Sequence, residues 1–385
     1  MFLKKFFKFG LHSIQIQYTM ATKSLRTEPQ RRLYSLDALR GFDMFWITGG
    51  DELIPAIAGG TWLGQQMHHA DWIGFHFEDL IFPLFMFISG VAISLSVKSK
   101  LEKNVPKRKL FQKALIRLVV LFVLGIFYNG TFRNAYAYGR IPSVLGQIAV
   151  GYFFAATIVI YFKSFRSRII WLVGILTGIG ILQLLVPVPG VGAGVLTREG
   201  CINGYIDRFL LDGRLYREMY DPEGLLCSIS AVSVTLMGTI AGNILRNRKT
   251  TDWGKMGYMA GTGAGLILLA LGLSTFYPII KKCWTAPFDI LTSGIGFLLL
   301  TLFYLIIDHW GFKKWAFYFR VIGMNSIFVY LFTRVIDVNR VSEFFLGWLA
   351  KPMGESGEVV IILGSIALVW LLLYYMYKKK IFLRV

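Results

Sequence analysis

The sequence predicts an all-α fold, a polytopic membrane helical bundle with about ten transmembrane helices and both termini in the cytoplasm. Three observations predict it: a composition that is 55% hydrophobic and only 16% charged, apolar windows that recur along the chain, and an uneven distribution of Lys and Arg. A water-soluble domain of this composition could not cover its apolar surface with polar groups.

The apolar windows are each about 20 residues long, which is the length that crosses the hydrocarbon core of a bilayer. They lie at 38–50, 80–97, 110–130, 142–162, 169–188, 226–245, 256–276, 287–307, 318–336 and 359–377. We therefore predict a basic cytoplasmic segment over 1–32 and one transmembrane domain over 33–385. The first segment lacks the continuous apolar core of a signal peptide.

The basic residues give the orientation. If the N-terminus is cytoplasmic, the inner loops carry 20 Lys plus Arg in about 50 positions, and the outer loops carry 10 in about 110. Two outer loops stand out, 51–78 and the long polar segment 189–225. The formal net charge of +19 falls in short clusters between apolar runs, which argues against a nucleic-acid partner.

The first outer loop ends in "MHHADWIGFHFED", which holds three of the five histidines: His68, His69 and His76. Imidazole titrates near neutrality and can serve as nucleophile, base or acid. Asp79, at the start of the second span, could hold such an imidazole in one tautomer, as the carboxylate of a hydrolase triad does. Two alternatives stay open: metal binding by the histidines, and a plain interfacial role like that of Trp72.

Other polar groups near the spans are costly to keep there and tend to have a function. The planar guanidinium group of an arginine can bind a phosphate or carboxylate, and a carboxylate side chain can bind an amine or sugar hydroxyls. The groups are Arg140 with Gln147, then Asp207, Arg208, Asp221 and Glu223 in the long loop, and Asn325 with Ser326. Loop-stabilising salt bridges remain the alternative for Asp207 and Arg208, and a helix-to-helix hydrogen bond for Asn325 and Ser326.

The three cysteines, Cys201, Cys227 and Cys283, are an odd number without metal-ligand spacing. We interpret them as free thiols or packing residues, and a pair on the oxidising side of the membrane stays open.

Several motifs carry a resemblance to a known family. They are "LDALRGFDM", "HADWIGFHFEDLIFPLFMFISG", "RIPSVLGQIAVGYF", "LVPVPG", "GYIDRFLL", "YDPEGLLCSISAV" and "GMNSIFVYL". In this order, from about Leu33 to the C-terminal tail, the chain resembles the heparan-alpha-glucosaminide N-acetyltransferase family, as a bacterial-type homologue. The resemblance implies that acetyl-CoA is supplied from the cytosol and that the acetyl group passes to a terminal glucosamine amine on the other side.

The resemblance also implies site residues. The family pattern H-A-x-W-x-G falls on His69, Ala70, Trp72 and Gly74, which makes His69 the catalytic histidine. Asp79 matches the acid of D-L-x-x-P, and Arg140 the arginine of R-I-P. Where the animal enzymes have an Asn in the first span, this chain has Asp51, and we expect it to lack their large lumenal N-terminal segment.

We therefore predict a transmembrane N-acetyltransferase with acetyl-CoA as co-substrate, no metal, and an amino sugar or glycan fragment as acceptor, in a bacterial inner membrane. The predicted catalytic residues are His69 and Asp79. The candidate cofactor-binding residues are Arg140, Gln147, Asn325 and Ser326, and the candidate substrate-binding residues are Asp51, Trp72, Asp207, Arg208, Asp221 and Glu223.

Two alternative functions stay open. One is an O-acetyltransferase of a surface or lipid-linked glycan, and the other is a sugar or ion transporter, against which the absence of inverted repeats argues. The predicted partners are the acceptor, acetyl-CoA and the lipid bilayer. Association into a homodimer stays open.

Overall fold

The structure is a computed structural model and describes residues 33–130, 139–162, 164–211 and 215–383. The predicted segment 1–32 lies outside the described residues. In chain order the α-helices are α1 Tyr34–Phe45, α2 Asp51–Ala58, α3 Trp62–Gln66, α4 Glu78–Glu102, α5 Lys107–Tyr128, α6 Val144–Tyr161, α7 Phe165–Leu185, α8 Ile202–Leu210, α9 Leu225–Arg246, α10 Asp252–Leu273, α11 Ala286–Phe303, α12 Ala316–Gly323, α13 Ser326–Val335, α14 Val338–Ala350 and α15 Ser356–Lys378.

Shorter turns connect some of these helices. Trp46–Gly50 and Tyr304–His309 are π-helical, and Lys281–Cys283 and Lys351–Met353 are single 3₁₀ turns. Within the described ranges the β pairing is one isolated bridge between Val188 and Gly192. The predicted all-α class is confirmed.

Eight helices of the described chain are long and apolar enough to cross a membrane: α4, α5, α6, α7, α9, α10, α15, and α11 together with the π-helix that extends it to His309. They coincide with eight of the ten predicted windows. The window 318–336 is the pair α12 and α13, which is bent by 74° and counts as a ninth span if the two helices cross together. The protein is a multi-pass membrane protein.

The first predicted window, 38–50, is not a regular span. Helix α1 has 12 residues and runs into a π-helix in which Gly49 adopts a φ of +120°. A left-handed residue cannot continue a right-handed helix, so the axis breaks there. Helix α2 then resumes the chain with Pro55 inside it.

The chain divides into two compact units: unit 1 is formed by residues up to Met67 together with Phe303–Val385, and unit 2 by His68–Leu302. In unit 1, α1 lies directly against α12. A Cβ atom on Gly41 would collide with the backbone carbonyl of Phe319, and one on Gly323 with that of Asp37. Small residues at both positions therefore let the two backbones touch.

In unit 2 the central pair is α4 and α9. A Cβ atom on Gly90 would collide with the Thr235 carbonyl, and one on Gly238 with the Phe87 carbonyl. The Ser94 hydroxyl also donates to the Thr239 carbonyl at 2.7 Å. Close backbone contact and an interhelical hydrogen bond are the two features that hold helices together inside a bilayer.

Four membrane-length helices of unit 2, α4, α6, α9 and α11, begin at one end of the bundle. Contacts near their first residues show this: Arg140 before α6 pairs with Asp221 before α9, and Cys227 in the first turn of α9 lies 3.6 Å from the Lys282 carbonyl before α11. Lys281 before α11 likewise lies 3.5 Å from Asp79 at the start of α4. Four helix N-termini, each with partial positive charge, therefore lie at this end.

Candidate active site

The loop 67–77, here called the His loop, is held in place by its own motif residues. Ala70 is buried and its N–H donates to Asp79 Oδ2 at 3.1 Å. The Trp72 indole donates to the Leu196 carbonyl at 2.7 Å, and its ring packs edge-on against Tyr220. Gly74 adopts a φ of +120°, a conformation that glycine adopts without steric cost. The H-A-x-W-x-G pattern is therefore an anchored turn that presents His69.

His69 and Asp79 are brought together as predicted. Nδ1 of His69 lies 3.0 Å from Asp79 Oδ1, and the Asp79 side chain is only 1% exposed, whereas that of His69 is 47% exposed. Asp79 Oδ2 accepts two backbone hydrogen bonds, from Ala70 and, at 3.0 Å, from His76. Because these donors fix the carboxylate, Oδ1 can orient the imidazole with its proton on Nδ1 and its lone pair on Nε2.

Two lysines from the 3₁₀ turn Lys281–Cys283 complete the site. Lys281 Nζ lies 3.0 Å from His69 Nδ1 and 3.2 Å from Nε2, and 3.5 Å from Asp79 Oδ1. Lys282 donates to the Ala70 carbonyl and, at 2.5 Å, to that of Asp71. Sequence reasoning missed both residues. The available signal was a pair of adjacent lysines in a loop that the charge pattern assigns to the lysine-poor side.

The electrostatics of the site favour a neutral imidazole. Burial lowers the pKa of His69 below its usual value of 6.5, and the charges of Lys281 and Lys282 lower it further, against the opposing effect of Asp79. Glu78 adds a second carboxylate, with Oε1 4.0 Å from His69 Nε2. A neutral imidazole is the form that can act as a base or nucleophile.

The other two histidines of the loop do not share this arrangement. His76 Nδ1 lies 2.8 Å from the backbone carbonyl of His68. In the part of the chain that the structure describes, no group of three or more His, Cys, Asp and Glu side chains is placed to hold a metal ion.

Arg140, Asp221 and Glu223 form a second cluster in unit 2. Arg140 donates to both Asp221 oxygens, at 2.7 and 2.5 Å, and to Glu223. Burial alone would lower the pKa of Arg140. The hydrogen bonds and charges of the two acids have the larger effect together and raise the pKa overall. The structure thus pairs three predicted site residues with one another. The guanidinium group of Arg140 is hydrogen-bonded to carboxylates of its own chain.

Asp207 and Arg208 have separate partners. Asp207 is fully buried and accepts the Leu225 N–H at 2.9 Å, which caps the start of α9. Burial is the main cause that raises the pKa of Asp207 to about 7. Arg208 donates to the Met219 carbonyl. Both residues therefore stabilise the segment between α8 and α9.

Gln147 and the three cysteines lie in the interior of unit 2. The Gln147 amide donates to the Cys227 carbonyl at 3.0 Å. All three cysteines, Cys201, Cys227 and Cys283, are buried and free, which confirms the prediction of unpaired packing residues.

Asp51, Asn325 and Ser326 belong to unit 1. Burial and the neighbouring Glu52 raise the pKa of Asp51 to about 6. The Asn325 amide donates to the Ile381 carbonyl at 3.1 Å and accepts the Leu383 N–H at 3.0 Å, so it fastens the C-terminal tail. Ser326 is the buried first residue of α13. Their predicted roles at acetyl-CoA or acceptor stay predictions.

Comparison with known proteins identifies relatives. The chain is 29% identical to heparan-alpha-glucosaminide N-acetyltransferase of Mus musculus over 419 residues, covering 93% of this chain and 62% of the mouse protein. It is 29% identical to the Homo sapiens protein of the same name over 412 residues, or 92% of this chain and 60% of the human one. The chain is similar to the heparan-alpha-glucosaminide N-acetyltransferases. No family model matches it.

The heparan-alpha-glucosaminide N-acetyltransferase relatives are longer, and the chain spans about three fifths of their length. The matched region covers nearly all of this chain, so it includes most of the described helices. The resemblance that the motifs indicate is therefore confirmed.

Proposed function

We propose that the protein is a transmembrane acetyltransferase that moves acetyl from acetyl-CoA to the amine of a terminal glucosamine or related amino sugar. The observation that carries the proposal is His69, half exposed at one end of unit 2, with its Nδ1 3.0 Å from the buried Asp79. The two relatives support the reaction class by name.

The chemistry needs a base and a site for negative charge. The acceptor amine attacks the thioester carbonyl, the C–S bond breaks, and an amide and coenzyme A thiolate form. The attacking nitrogen loses a proton to His69 Nε2, and that proton then neutralises the thiolate, so atoms and charge balance. If His69 itself takes the acetyl group first, the same Nε2 is the nucleophile, and the amine attacks the acetyl-imidazole in a second step.

The end of unit 2 at which four helices begin suits the developing oxyanion. Asp79 lies in the first turn of α4, and Lys281 lies just before α11. Helix N-termini stabilise negative charge that appears in the transition state. Removal of one such donor typically costs about 10²–10³ in kcat.

The charge pattern supports one direction of transfer. The loops that carry most Lys and Arg suit the cytosolic side, where acetyl-CoA is made, and the His loop lies on the opposite side by that pattern. We propose that the pantetheine arm of acetyl-CoA reaches His69 from the cytosolic side, while the acceptor approaches from the other.

The test uses purified protein in detergent with labelled acetyl-CoA and glucosamine. Label in N-acetylglucosamine supports the proposal, and label in alkali-labile glycan esters favours the O-acetyltransferase alternative. No transfer to either acceptor class overturns both, and a transporter then becomes the better description.

The residue test compares two neighbouring histidines. His69→Ala should reduce transfer at least 10²-fold, because general base catalysis contributes about 10²–10⁴. His68→Ala is the matched control, since it removes an imidazole from the same loop, and it should keep most of the activity. Wild-type activity in His69→Ala would overturn the assignment.

A further inference from the structure

Lys281 touches the two central residues of the site. Its Nζ lies within 3.2 Å of both ring nitrogens of His69. It lies 3.5 Å from Asp79 Oδ1, and its side chain is only 14% exposed. The ammonium is therefore held against the ring and the carboxylate, and it does not extend freely into solvent.

The charges around His69 would be unbalanced without this lysine. Glu78 and Asp79 both direct a carboxylate oxygen at the ring, at 4.0 and 3.0 Å. Carboxylates at this distance favour the charged imidazolium. An imidazolium has no lone pair, so it could neither accept a proton nor attack a thioester.

We propose that Lys281 is a positioning residue for His69: the Lys281 ammonium balances the Asp79 carboxylate and so keeps the imidazole uncharged. This inference rests on the proposed acetyltransferase function. Lys281 does not replace Asp79: the carboxylate orients the ring, and the ammonium stops the carboxylate from drawing a proton onto it.

Other charged groups around the pair act in known directions. Lys282 adds a second positive charge from its position on the Ala70 and Asp71 carbonyls. Burial lowers the pKa of Lys281, whereas the charges of Asp79, Glu78 and Glu223 raise it. The net shift is downward, so the ammonium should be lost at a lower pH than that of a free lysine.

The first test measures the protonation of His69 without using activity. Diethyl pyrocarbonate modifies neutral imidazoles, and mass spectrometry can follow the rate at His69 against pH. In the wild type we expect a midpoint below 6.5, the usual value for imidazole. In Lys281→Met the midpoint should rise by about 1 pH unit or more, and in Lys281→Arg it should stay near the wild-type value.

Lys249→Met is the matched control, because Lys249 is an exposed lysine of unit 2 in the turn before α10. It should leave the midpoint unchanged. A wild-type midpoint above 6.5, or an unchanged midpoint in Lys281→Met, overturns the proposal. If Lys281→Met does not yield a monodisperse protein, Lys281→Gln, which also removes the positive charge, takes its place with the same expected rise in the His69 midpoint.

The second test is the pH profile of kcat/KM for acetyl transfer. Lys281→Met should be up to about tenfold slower than wild type at pH values below both midpoints, and should approach wild type near pH 8, because its acid limb moves up by about one unit. A loss by the same factor at every pH would indicate a purely structural role and overturn the proposal. Absence of transfer in the wild type would refute the proposed function, and the modification midpoints would still report on Lys281.

Discussion

Asp79→Asn is the substitution that examines the site most directly, because it changes charge and hydrogen bonding with little change in volume. The carboxylate accepts hydrogen bonds from the Ala70 and His76 backbones at 3.1 and 3.0 Å and faces His69 Nδ1 at 3.0 Å. If the amide oxygen keeps the two backbone donors, the NH₂ group faces Nδ1. His69 must then carry its proton on Nε2, and the lone pair needed there is lost.

The size of the effect follows from these contacts. Loss of the general base and of the correct tautomer should lower kcat by about 10²–10⁴. This is about 3–5 kcal/mol of activation free energy. Two charge-assisted hydrogen bonds become neutral ones, at a cost of about 1 kcal/mol each, so the free energy of unfolding should fall by only about 2 kcal/mol.

The assay is steady-state transfer from labelled acetyl-CoA at saturating acceptor, on protein shown to be monodisperse, with thermal unfolding measured alongside. Asp71→Asn is the matched control: it is the same substitution in the same loop, and the Asp71 side chain is 94% exposed in its pair with Arg198. An exposed pair contributes at most about 1 kcal/mol, so activity should stay near wild type. If Asp79→Asn keeps more than a tenth of wild-type kcat, the orienting role of Asp79 is wrong.

Two further predictions concern the start of α9. Gly224→Ala should lower the free energy of unfolding by about 1–3 kcal/mol, because the new Cβ would meet the buried Asp207 carboxyl carbon at 2.5 Å. Gly257→Ala is the control, since nothing lies within 4 Å of its Cβ position. Equal melting temperatures of the two variants would contradict the reasoning. Asp207→Asn should raise the free energy of unfolding relative to wild type more at pH 8 than at pH 4. In the folded wild type the pKa of Asp207 is raised from 3.8 to about 7, so the wild type is most stable below pH 3.8 and loses stability as the pH rises through 7. Chemical unfolding at the two pH values checks this, and a pH-independent difference would refute it.

The membrane character and most spans could be predicted because each depends on a local property. A run of about 20 apolar residues is visible without any knowledge of its neighbours. The first window failed for a local reason that composition does not show: Gly49 takes a left-handed conformation and breaks the helix. An apolar window alone cannot distinguish a straight span from a broken one.

The site was predictable in part. His69 and Asp79 are ten residues apart, at a loop and the helix that follows it, so their meeting is short-range. Lys281 lies 212 residues from His69 along the chain, and no local pattern connects the two. Arg140 shows the converse limit: its chemistry suits a phosphate, yet Asp221 and Glu223, 81 and 83 residues away, already occupy its donors.

The Asn325 amide has a practical consequence for handling the protein. It forms hydrogen bonds with both the carbonyl of Ile381 and the N–H of Leu383. These bonds hold the tail after α15 against the start of α13 in unit 1. Shortening the chain at about residue 380 would leave both amide groups of a nearly inaccessible side chain without partners. An affinity tag is therefore better appended beyond Val385 through a spacer than grafted in place of the final residues.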